Sequence, residues 1–444
     1  MLDVAKEIVD YWETLYYITV VEETDKIYYY NKGVFILFTD TKIKNLMKMW
    51  ISETNKTEEK PIIFSTTLFN QVKNNLYGNM SKLDDFDKHE YRVNCLNGIV
   101  DLRDGYFYEH LPFNETPYKS FIQIPVEYKK GVKCPKIIKF ILDVFGLDRV
   151  AFIYEIISYI LYRSNKLQKA FIFFGEAASG KTTFIELIRV FLGEKNIQDI
   201  SIQKINKRFQ MGNIRNKLAN IYDDLPIQKL LYIQNFKQIV TNKTLTSELK
   251  GIQELVTWSN YCKQIYTTNN LPEVGEHTGD DFWRRIILVH CTNFFDNGTK
   301  DFDIGNKITH PDELSGLLNM CVHHFKDLHE RKHFPERFDN IDTVKGIWLI
   351  NINPMKLFLD ECCVITNSED DYEEADFFRA QVNAFRKERN AEGISMNMIT
   401  RKLKDLGVEK KQKSVGKRYY IGIKVVKTII DKIDRILIGG QKTL

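Results

Sequence analysis

Alternating apolar and polar residues at the start of the chain predict short strands joined by tight turns. KIYYY and VFILF flank Asn31 and Gly33 and predict a β-hairpin, and NGIVDLRDGYFYEH predicts a second one that turns at Asp104. Asp40 precedes the apolar positions of KIKNLMKMW, so we expect it to be the N-cap of a helix. These elements predict an α+β N-terminal domain over residues 1–140, for which a scaffolding role without chemistry is the simplest interpretation.

The middle of the chain changes from helical to strand periodicity. From PKIIKFILDVF to SYILYRS, apolar residues recur every three or four positions and predict helices. From Phe171 onward, FIFF, KLANIYDD, KQIYTTN and RRIILVHC read as short strands with helices between at least some of them. This alternation is typical of an α/β fold with a parallel sheet. PDELSGLLNMCVHHFKDLHERKHF predicts a closing helix, so we expect an α/β domain over residues 141–335.

The last part of the chain predicts a small domain with two helices and a basic hairpin. NSEDDYEEAD, residues 367–376, is an acidic run that suggests a linker or a cap, and we interpret 336–370 as a linker. FFRAQVNAFRKER and SMNMITRKLKDLG predict helices, and VEKKQKSVGKRYYIGIKV predicts two strands around Gly416. This order predicts a winged helix over 371–426, and VKTIIDKIDRILIGG predicts an amphipathic helix in the tail, 427–444.

Composition narrows the class of protein. The 444 residues include 63 Lys and Arg and 59 Asp and Glu, so any nucleic-acid site must be local. The 7 cysteines are scattered and lack CxxC spacing, which argues against a zinc site or a disulfide framework and favours a reducing compartment. The N-terminus does not resemble a signal peptide, and the apolar run VAFIYEIISYILY is interrupted by Glu155 and is too short to span a bilayer. We therefore expect a cytoplasmic protein that does not enter a membrane.

The most specific motif is GEAASGKT at residues 175–182, which matches the phosphate-binding P-loop pattern GxxxxGK[ST]. Its glycines let backbone N–H groups converge on a phosphate at a helix N-terminus, Lys181 reaches the β- and γ-phosphates, and the Thr182 hydroxyl binds Mg²⁺. A predicted strand before the motif and a predicted helix after it favour this interpretation over a glycine turn without a ligand. ATP and Mg²⁺ are thus the expected cofactors, with these ATP-binding residues: Gly175, Glu176, Ala177, Ala178, Ser179, Gly180, Lys181, Thr182 and Thr183.

Polar residues at two later strand ends complete the expected site. Asp223 and Asp224 end the strand in KLANIYDDLP, where the first acid can join Thr182 around the metal and the second can polarise the attacking water. Asn269 ends the strand in KQIYTTNNLP and can hold that water without adding charge. In isolation, an acidic pair is commonly a turn or helix cap, and a lone Asn is usually a turn former; the order of the motifs favours the catalytic interpretation.

Two arginines and one lysine are further candidates. Arg284 and Arg285 precede the last predicted strand, where an arginine could neutralise transition-state charge on ATP held by a neighbouring subunit. The alternative is a surface pair bridged to Asp280 or Asp281. Lys250 lies in LTSELKGIQEL, which predicts a loop or hairpin tip, and position alone does not distinguish it from a solvated charge.

The C-terminal hairpin region is locally basic. Between residues 395 and 425 there are nine Lys and Arg against two acidic residues, a net charge of +7. Such a charge suits contact with DNA phosphates, and the alternative is the solvated face of a packing domain. The candidate DNA-binding residues here are Arg401, Lys402, Lys410, Lys411, Lys413, Lys417 and Arg418.

The motifs together resemble a known family. GEAASGKTT, IYDDLP, TSELKGIQEL, IYTTNNLP and FWRRIILV follow in this order between residues 175 and 289, as in the superfamily 3 helicases of viruses, phages and plasmids, a branch of the AAA+ ATPases. The sequence is most similar to poxvirus-type and satellite-phage-type primase–helicases. NCLNGIVDL, KCPKIIKFI, PDELSGLLNM and the segment from FFRAQVNAF to KRYYIGIKV extend this resemblance over most of residues 90–426.

The resemblance implies a AAA+ motor that forms a hexameric ring on one DNA strand and moves 3′ to 5′ on ATP. It implies that Asn269 is sensor 1, that Arg284 is the arginine finger with Arg285 as second choice, and that Lys250 touches DNA in the pore. The expected partners are single-stranded and forked DNA, other copies of the chain, and a primase-polymerase domain in the same or another chain. No polymerase-like set of carboxylates precedes the ATPase motifs.

Two other functions fit parts of the same pattern. A nucleotide-switched initiator would bind and mark or melt an origin without translocating, and it would need the P-loop and the wing but no pore lysine. A DNA packaging motor would also hydrolyse ATP, but such motors usually carry a nuclease domain, for which we find no motif. The sequence therefore favours a replicative DNA helicase.

Overall fold

The computed structural model describes the chain in thirteen stretches and divides it into two compact units. The first unit comprises Met1–Asn269 and Arg285–Glu336, and the second comprises Asn270–Arg284 and Arg337–Leu444. The first unit thus includes both the segment expected as an N-terminal domain and most of the one expected as an α/β domain. No helix among the described residues is long and apolar enough to cross a membrane. The described residues are 2–56, 61–112, 118–226, 228–230, 233–248, 254–275, 278–295, 301–352, 354–366, 368–388, 393–404, 406–414 and 417–428.

The N-terminal part contains two small sheets and three helices. Its elements are α1 Leu2–Glu13, β1 Ile18–Val21, β2 Lys26–Asn31, β3 Val34–Leu37, α2 Asp40–Thr54, α3 Thr66–Asn75, β4 Met80–Ser81, β5 Arg92–Asn94, β6 Gly98–Asp101 and β7 Phe107–Glu109. The sheet orders are β3-β2-β1-β4 and β5-β6-β7. Both predicted hairpins are present as antiparallel pairs, β2 with β3 and β6 with β7.

One predicted cap is wrong by a single residue. The N-cap of α2 is Thr39, whose hydroxyl accepts a hydrogen bond from the Lys42 N–H at 3.3 Å, and Asp40 is the first helical residue. Thr and Asp are both favoured at this position, so the sequence pattern could not separate two neighbours that both fit. The helix then buries Ile43, Met47 and other apolar residues against α1, α3 and β1.

A five-stranded parallel sheet forms the centre of the first unit. Its order is β14-β8-β13-β10-β9, and every neighbouring pair is parallel. The elements of this part are α4 Pro135–Phe145, α5 Val150–Leu161, β8 Ala170–Phe174, α6 Lys181–Leu192, β9 Ile197–Gln198, α7 Gln210–Asn213, β10 Ala219–Tyr222, α8 Gln234–Thr241, β11 Thr244–Glu248, β12 Leu255–Ser259, β13 Lys263–Thr268, β14 Ile286–His290, α10 Ile304–Ile308 and α11 Pro311–Arg331. The four predicted strands are β8, β10, β13 and β14, and β9 is an addition.

Helices α4 and α11 are joined by a buried carboxylate. Glu313 of α11 is 6% exposed, and its carboxylate accepts hydrogen bonds from the N–H groups of Lys136 and Ile137, both at 3.1 Å. These N–H groups belong to the first turn of α4, where the helix itself provides no acceptor. The Glu313 side chain therefore fixes the start of α4, which forms one wall of the candidate site described below.

The second unit includes, towards its C-terminal end, the two helices and the β-hairpin that the sequence predicted. Its elements are α9 Asp280–Trp283, α12 Glu336–Asp339 at the boundary of the units, α13 Ile341–Ile352, α14 Pro354–Cys362, β15 Cys363–Ile365, β16 Tyr372–Glu374, α15 Ala375–Glu388, α16 Met396–Lys404, β17 Glu409–Ser414, β18 Lys417–Ile421 and β19 Ile423–Val425. One antiparallel sheet has the order β16-β18-β17, and β15 pairs with β19. Phe358, Phe378, Phe385 and Tyr420 lie in its apolar core.

The interval 336–370, expected to be a linker, contains α12, α13, α14 and β15. Trp348 of α13 is fully buried, and its indole N–H donates to the carbonyl of Pro272 at 2.9 Å. The acidic run contains a strand as well, because β16 pairs with β18. Gly416 and residues 429–444, which include most of the predicted tail helix, lie outside the described residues.

Candidate functional site

A glycine-bounded loop, residues 175–180, connects the end of β8 to the start of α6. Gly175 has φ +146° and Gly180 has φ +86°. A Cβ atom on Gly175 would lie 2.3 Å from the carbonyl oxygen of Cys291, and one on Gly180 would lie 2.7 Å from Cγ2 of Val144. The loop can therefore pass this close to its neighbours only with glycine at both positions.

Lys181 is held at the centre of this loop. Its ammonium group donates to the carbonyl oxygens of Gly175 and Glu176 at 2.8 and 2.7 Å, and to the hydroxyl of Ser179 at 3.0 Å. The side chain is 7% exposed, and this burial lowers its pKa below the ordinary value for a lysine. A buried cation beside the N-terminus of a helix is an arrangement that favours an anionic ligand.

Two acidic residues follow the end of β10, next to the end of β13. Asp223 and Asp224 are exposed, whereas Thr267 of β13 is 1% exposed. The Thr267 hydroxyl donates to Oδ1 of Asp223 and accepts a hydrogen bond from the N–H of Asp224 at 2.9 Å. Asn269 follows β13 directly and is exposed. The carboxyl ends of two neighbouring parallel strands thus present the acids and the amide side by side.

These groups surround one cavity of about 640 Å³. It lies beyond the carboxyl ends of β8, β10 and β13. After β8 the chain continues to β9 at one edge of the sheet, and it later returns to β14, which pairs with the other side of β8. Ligands of open α/β sheets bind at such points of reversed strand order. The residues expected from the sequence that line it are Ala177, Ala178, Ser179, Gly180, Lys181, Thr182, Thr183, Asp223, Asp224 and Asn269.

Another part of the cavity lining was not expected from the sequence. Phe140 of α4, Phe295 and Ile304 of α10 provide apolar surface there. Two ion pairs flank it, Lys139 with Asp143 at 2.6 Å and Lys307 with Asp301 at 2.7 Å, and Lys136 completes the wall. An apolar wall with a charged rim, next to the loop that holds Lys181, suits a ligand with a flat apolar part and an anionic part. The sequence offered no signal for this wall, because apolar residues facing a cavity follow the same helical spacing as those facing a core.

The two candidate arginines are not among the residues that line this cavity. Arg285 is 8% exposed, and its Nε donates to the hydroxyl of Thr241 at 2.6 Å. Its carbonyl also accepts from the N–H of Ala170 at the start of β8. Arg284 belongs to the second unit and is exposed at the end of α9. Arg285 is therefore part of the interior, and Arg284 is the one whose side chain reaches solvent.

Lys250 lies outside the described residues. The strands on either side of it, β11 and β12, form an antiparallel pair from Thr244 opposite Ser259 to Glu248 opposite Leu255. The strands of the predicted hairpin are thus present up to Glu248 and Leu255.

The basic residues near the C-terminus are spread over three elements. Arg401 and Lys402 lie on α16, Lys410, Lys411 and Lys413 on β17, and Lys417 and Arg418 on β18; the side chain of Lys413 is outside the described part. The acidic run contacts this surface, with Lys411 to Glu369 at 3.1 Å and Lys417 to Glu374 at 3.6 Å. Lys424 lies 3.9 Å from Asp371. The positive charge counted along the sequence is therefore partly compensated by carboxylates from another segment.

The described residues do not form a multi-ligand metal site. Within them there is no group of three or more His, Cys, Asp or Glu side chains that could hold a metal ion. All seven cysteines are free, and burial raises the pKa of Cys262 and Cys291 to about 12, which keeps these thiols protonated. Mg²⁺ needs fewer protein ligands than a structural metal does, since one or two carboxylates and the substrate phosphates commonly suffice. The exposed Asp223 carboxylate and the exposed Thr182, which both line the cavity, fit that requirement.

Two family models match parts of the chain. The model described as "D5 N terminal like" matches residues 6–146, and the "Family of unknown function (DUF5906)" matches residues 173–285. Domains of these two kinds are typical of phage and viral primase–helicase proteins. No curated protein matches the chain.

The solved structures that match the chain include two of the NrS-1 C-terminal region. The apo structure of its A form is 12% identical, covers 94% of this chain and 98% of that chain, and has a TM-score of 0.47. The apo structure of the same region, residues 305–718 of that protein, is also 12% identical with the same coverage and has a TM-score of 0.46.

Proposed function

We propose that this protein is an ATP-dependent DNA helicase that acts in the replication of a phage, virus or plasmid. The observation that carries the proposal is a cavity lined by Lys181, Thr182, Asp223, Asp224 and Asn269 at the carboxyl edge of a parallel sheet. The matches to domains typical of phage and viral primase–helicases support the same context.

In this proposal the glycine loop is a P-loop that binds the phosphates of ATP. Lys181 exchanges its loop carbonyl partners for the β- and γ-phosphate oxygens, and the apolar wall at Phe140 and Phe295 accommodates the base. Thr182 and Asp223 would hold Mg²⁺, which when bound offsets the negative charge of the phosphates. Asp224 polarises the attacking water.

Asn269 orients the same water and responds to the γ-phosphate. It follows β13 directly, so any movement of this amide is transmitted to a strand in the middle of the sheet. A neutral amide serves here because another carboxylate would repel the phosphate.

DNA contact is assigned to two regions. The helices α15 and α16 with the hairpin β17–β18 are proposed to form a winged helix that contacts phosphates through its basic residues. Lys250, between β11 and β12, is proposed to touch one DNA strand in the channel of a hexameric ring that moves 3′ to 5′. ATP hydrolysis in each subunit then moves the strand along the channel.

The test is strand displacement on forks with a 3′ or a 5′ tail, with ATP and with a non-hydrolysable analogue. The proposal expects displacement of the 3′-tailed fork with ATP only. Lys181→Ala should lose ATP hydrolysis and displacement together, because the γ-phosphate loses its main cationic partner. Lys195→Ala is the matched control, since Lys195 is an exposed lysine that does not line the cavity.

The variant Lys250→Ala distinguishes a translocating helicase from a nucleotide-switched initiator. The variant should keep basal ATP hydrolysis and assembly but lose most displacement, because this lysine is proposed to touch DNA and not nucleotide. Lys243→Ala, an exposed lysine just before β11, is its control. Binding of forks without displacement by the wild-type protein would favour the replication initiator instead.

A further inference from the structure

Thr267 makes two contacts that tie both acidic residues to the neighbouring strand. β10 and β13 are parallel neighbours with Tyr222 opposite Tyr266, so Thr267 comes to lie beside Asp223, one residue further along each strand. The Thr267 hydroxyl donates its only hydrogen to Oδ1 of Asp223. It accepts the N–H of Asp224 at 2.9 Å.

The backbone at Asp224 makes the second contact important. Asp224 has φ +58°, a left-handed conformation that side-chain-bearing residues adopt uncommonly and at some cost. The Thr267 hydroxyl and the Thr267 carbonyl, which accepts from the N–H of Leu225 at 2.8 Å, together hold the chain in this turn. The turn directs two successive carboxylates to the cavity instead of to opposite sides of a continuing strand.

Thr268, the next residue, provides a useful contrast. Its hydroxyl donates to the carbonyl of Leu225 at 3.4 Å, a long contact with the backbone beyond the acids. The Thr267 hydroxyl, in contrast, contacts both acidic residues. Asn269 lies two residues further on, so the same strand end carries the proposed water-holding amide and the hydroxyl that fixes the acids.

We propose that Thr267 is a positioning residue for ATP hydrolysis, which orients the Asp223 carboxylate towards Mg²⁺ and the Asp224 carboxylate towards the attacking water. This role rests on the proposed ATPase function. It also means that a shift of β13 moves the amide of Asn269 and the two carboxylates together, because one residue of that strand holds both acids.

The test compares Thr267→Val with Thr267→Ser. Valine keeps the shape of threonine but has no hydroxyl, so Asp223 loses a donor and the N–H of Asp224 loses its acceptor. Serine keeps the hydroxyl. Thr19→Val is the matched control. Thr19 is a fully buried threonine on β1, and its hydroxyl contacts that of Ser81 on the neighbouring β4 at 2.7 Å. Both strands belong to a different sheet from β13.

Two quantities are measured at a series of Mg²⁺ concentrations. The first is the rate of ATP hydrolysis, and the second is the affinity for a fluorescent ADP analogue, which does not depend on turnover. For Thr267→Val we expect kcat to fall about tenfold or more. We also expect the Mg²⁺ concentration for half-saturation to rise about tenfold, as is typical when a residue that hydrogen-bonds to a metal ligand is removed. ADP affinity without Mg²⁺ should stay within about twofold of wild type, and Thr267→Ser should restore both measurements.

The outcomes separate this role from a purely structural one and from failure of the proposed function. An unchanged Mg²⁺ dependence in Thr267→Val, or a defect that serine does not restore, would overturn the positioning role while leaving the ATPase proposal intact. An equal loss in Thr19→Val would also overturn it, since any buried hydroxyl would then serve. If the wild-type protein shows no ATP hydrolysis that depends on Lys181, the proposed function fails and this role fails with it.

Discussion

At the scale of single residues, the glycine loop depends on one close approach between two backbone segments. A methyl group at Gly175 would lie 2.3 Å from the carbonyl oxygen of Cys291, and φ +146° is a conformation that other residues rarely adopt. We expect Gly175→Ala to destabilise the protein by about 2–4 kcal/mol, through steric overlap and backbone strain, and to weaken ATP binding. The midpoint of thermal unfolding and nucleotide titration measure these effects.

Gly78→Ala is the matched control for this change. A Cβ atom at Gly78 would meet no atom within 4 Å, so its effect on stability should stay within about 0.5 kcal/mol. Equal unfolding midpoints for the two variants would contradict the expectation that the loop is held by this contact.

Lys263 should make the stability of the fold depend on pH. It is 1% exposed at the start of β13, and its Nζ donates to the carbonyls of Tyr162 and Tyr261 at 2.7 and 2.8 Å. Burial lowers its pKa from 10.5 to about 7. Between these two values the unfolded chain binds a proton that the folded chain lacks, so this residue makes stability rise with pH, by at most about 1.4 kcal/mol per pH unit.

Lys263→Met isolates this contribution. The buried thiols act in the opposite direction above their unfolded pKa of 9.0, since burial raises the pKa of Cys262 to about 12. The quantity to measure is therefore the difference in free energy of unfolding between wild type and variant, from pH 7 to about 8.5. We expect that difference to change in favour of the wild type as pH rises, and a constant difference would contradict the assignment.

At the scale of elements, the strands that the sequence predicts best are those with continuous apolar runs. β8, with the sequence AFIFF, is buried along its whole length between two neighbouring strands, so its sequence contains the pattern that a central parallel strand requires. β9 has only two residues, and β16 lies within an acidic run; both exist through pairing with a distant strand. Local pattern cannot reveal a strand that depends on a partner elsewhere in the chain.

The same distinction applies to the candidate site. Lys181, Asp223 and Asn269 follow strands that could be recognised one by one, and the carboxyl ends of parallel strands meet at one edge of the sheet. The wall at Phe140 and Phe295 could not be predicted, because its position depends on how α4 packs over the loop. The contacts of Thr267 depend on the register between β10 and β13, which the sequence does not specify.

The basic hairpin leads to a prediction about nucleic-acid binding. Glu369, Asp371 and Glu374 lie 3.1 to 3.9 Å from Lys411, Lys424 and Lys417, and DNA phosphates must compete with these carboxylates for the lysines. The triple variant Glu369→Gln, Asp371→Asn, Glu374→Gln should bind single-stranded DNA about three to ten times more tightly at low salt, since each exposed pair contributes at most about 1 kcal/mol. Its affinity should also fall more steeply as salt rises.

A control must match the change in total charge. Asp3, Glu7 and Asp10 are exposed acidic residues on α1, and neutralising all three alters the net charge equally in a different part of the chain. A similar gain in affinity for both triple variants would mean that overall charge controls binding. No gain in the first variant would mean that DNA does not use this face of the sheet.

At the scale of the whole molecule, the proposed activity requires several copies of the chain. Substitutions of the two adjacent arginines should distinguish an effect on the stability of one chain from an effect on the contact between chains. Arg285 is buried and hydrogen-bonded to Thr241, whereas Arg284 is exposed. We therefore expect Arg285→Ala to lower the free energy of unfolding by about 1–3 kcal/mol, because it removes a buried side chain and its hydrogen bond to the half-buried Thr241 hydroxyl. Arg284→Ala should leave stability unchanged within about 0.5 kcal/mol.

The last prediction concerns what Arg284 does in an assembled ring. If its guanidinium neutralises charge on ATP held by a neighbouring subunit, Arg284→Ala should bind ATP normally and hydrolyse it about 10³-fold more slowly. Lys181→Ala lacks the phosphate contact but keeps the arginine, so an interface between the two variants contains one intact loop and one intact arginine. In an equal mixture about a quarter of the interfaces have this composition, and we expect a corresponding fraction of wild-type hydrolysis to return.

The measurement needs evidence of mixed rings, for which differently tagged variants can be co-purified. If mixed rings form and no hydrolysis returns, Arg284 does not act across an interface. If Arg285→Ala restores activity in that mixture and Arg284→Ala does not, the buried arginine must leave Thr241 during assembly, and the order of the two candidates is reversed.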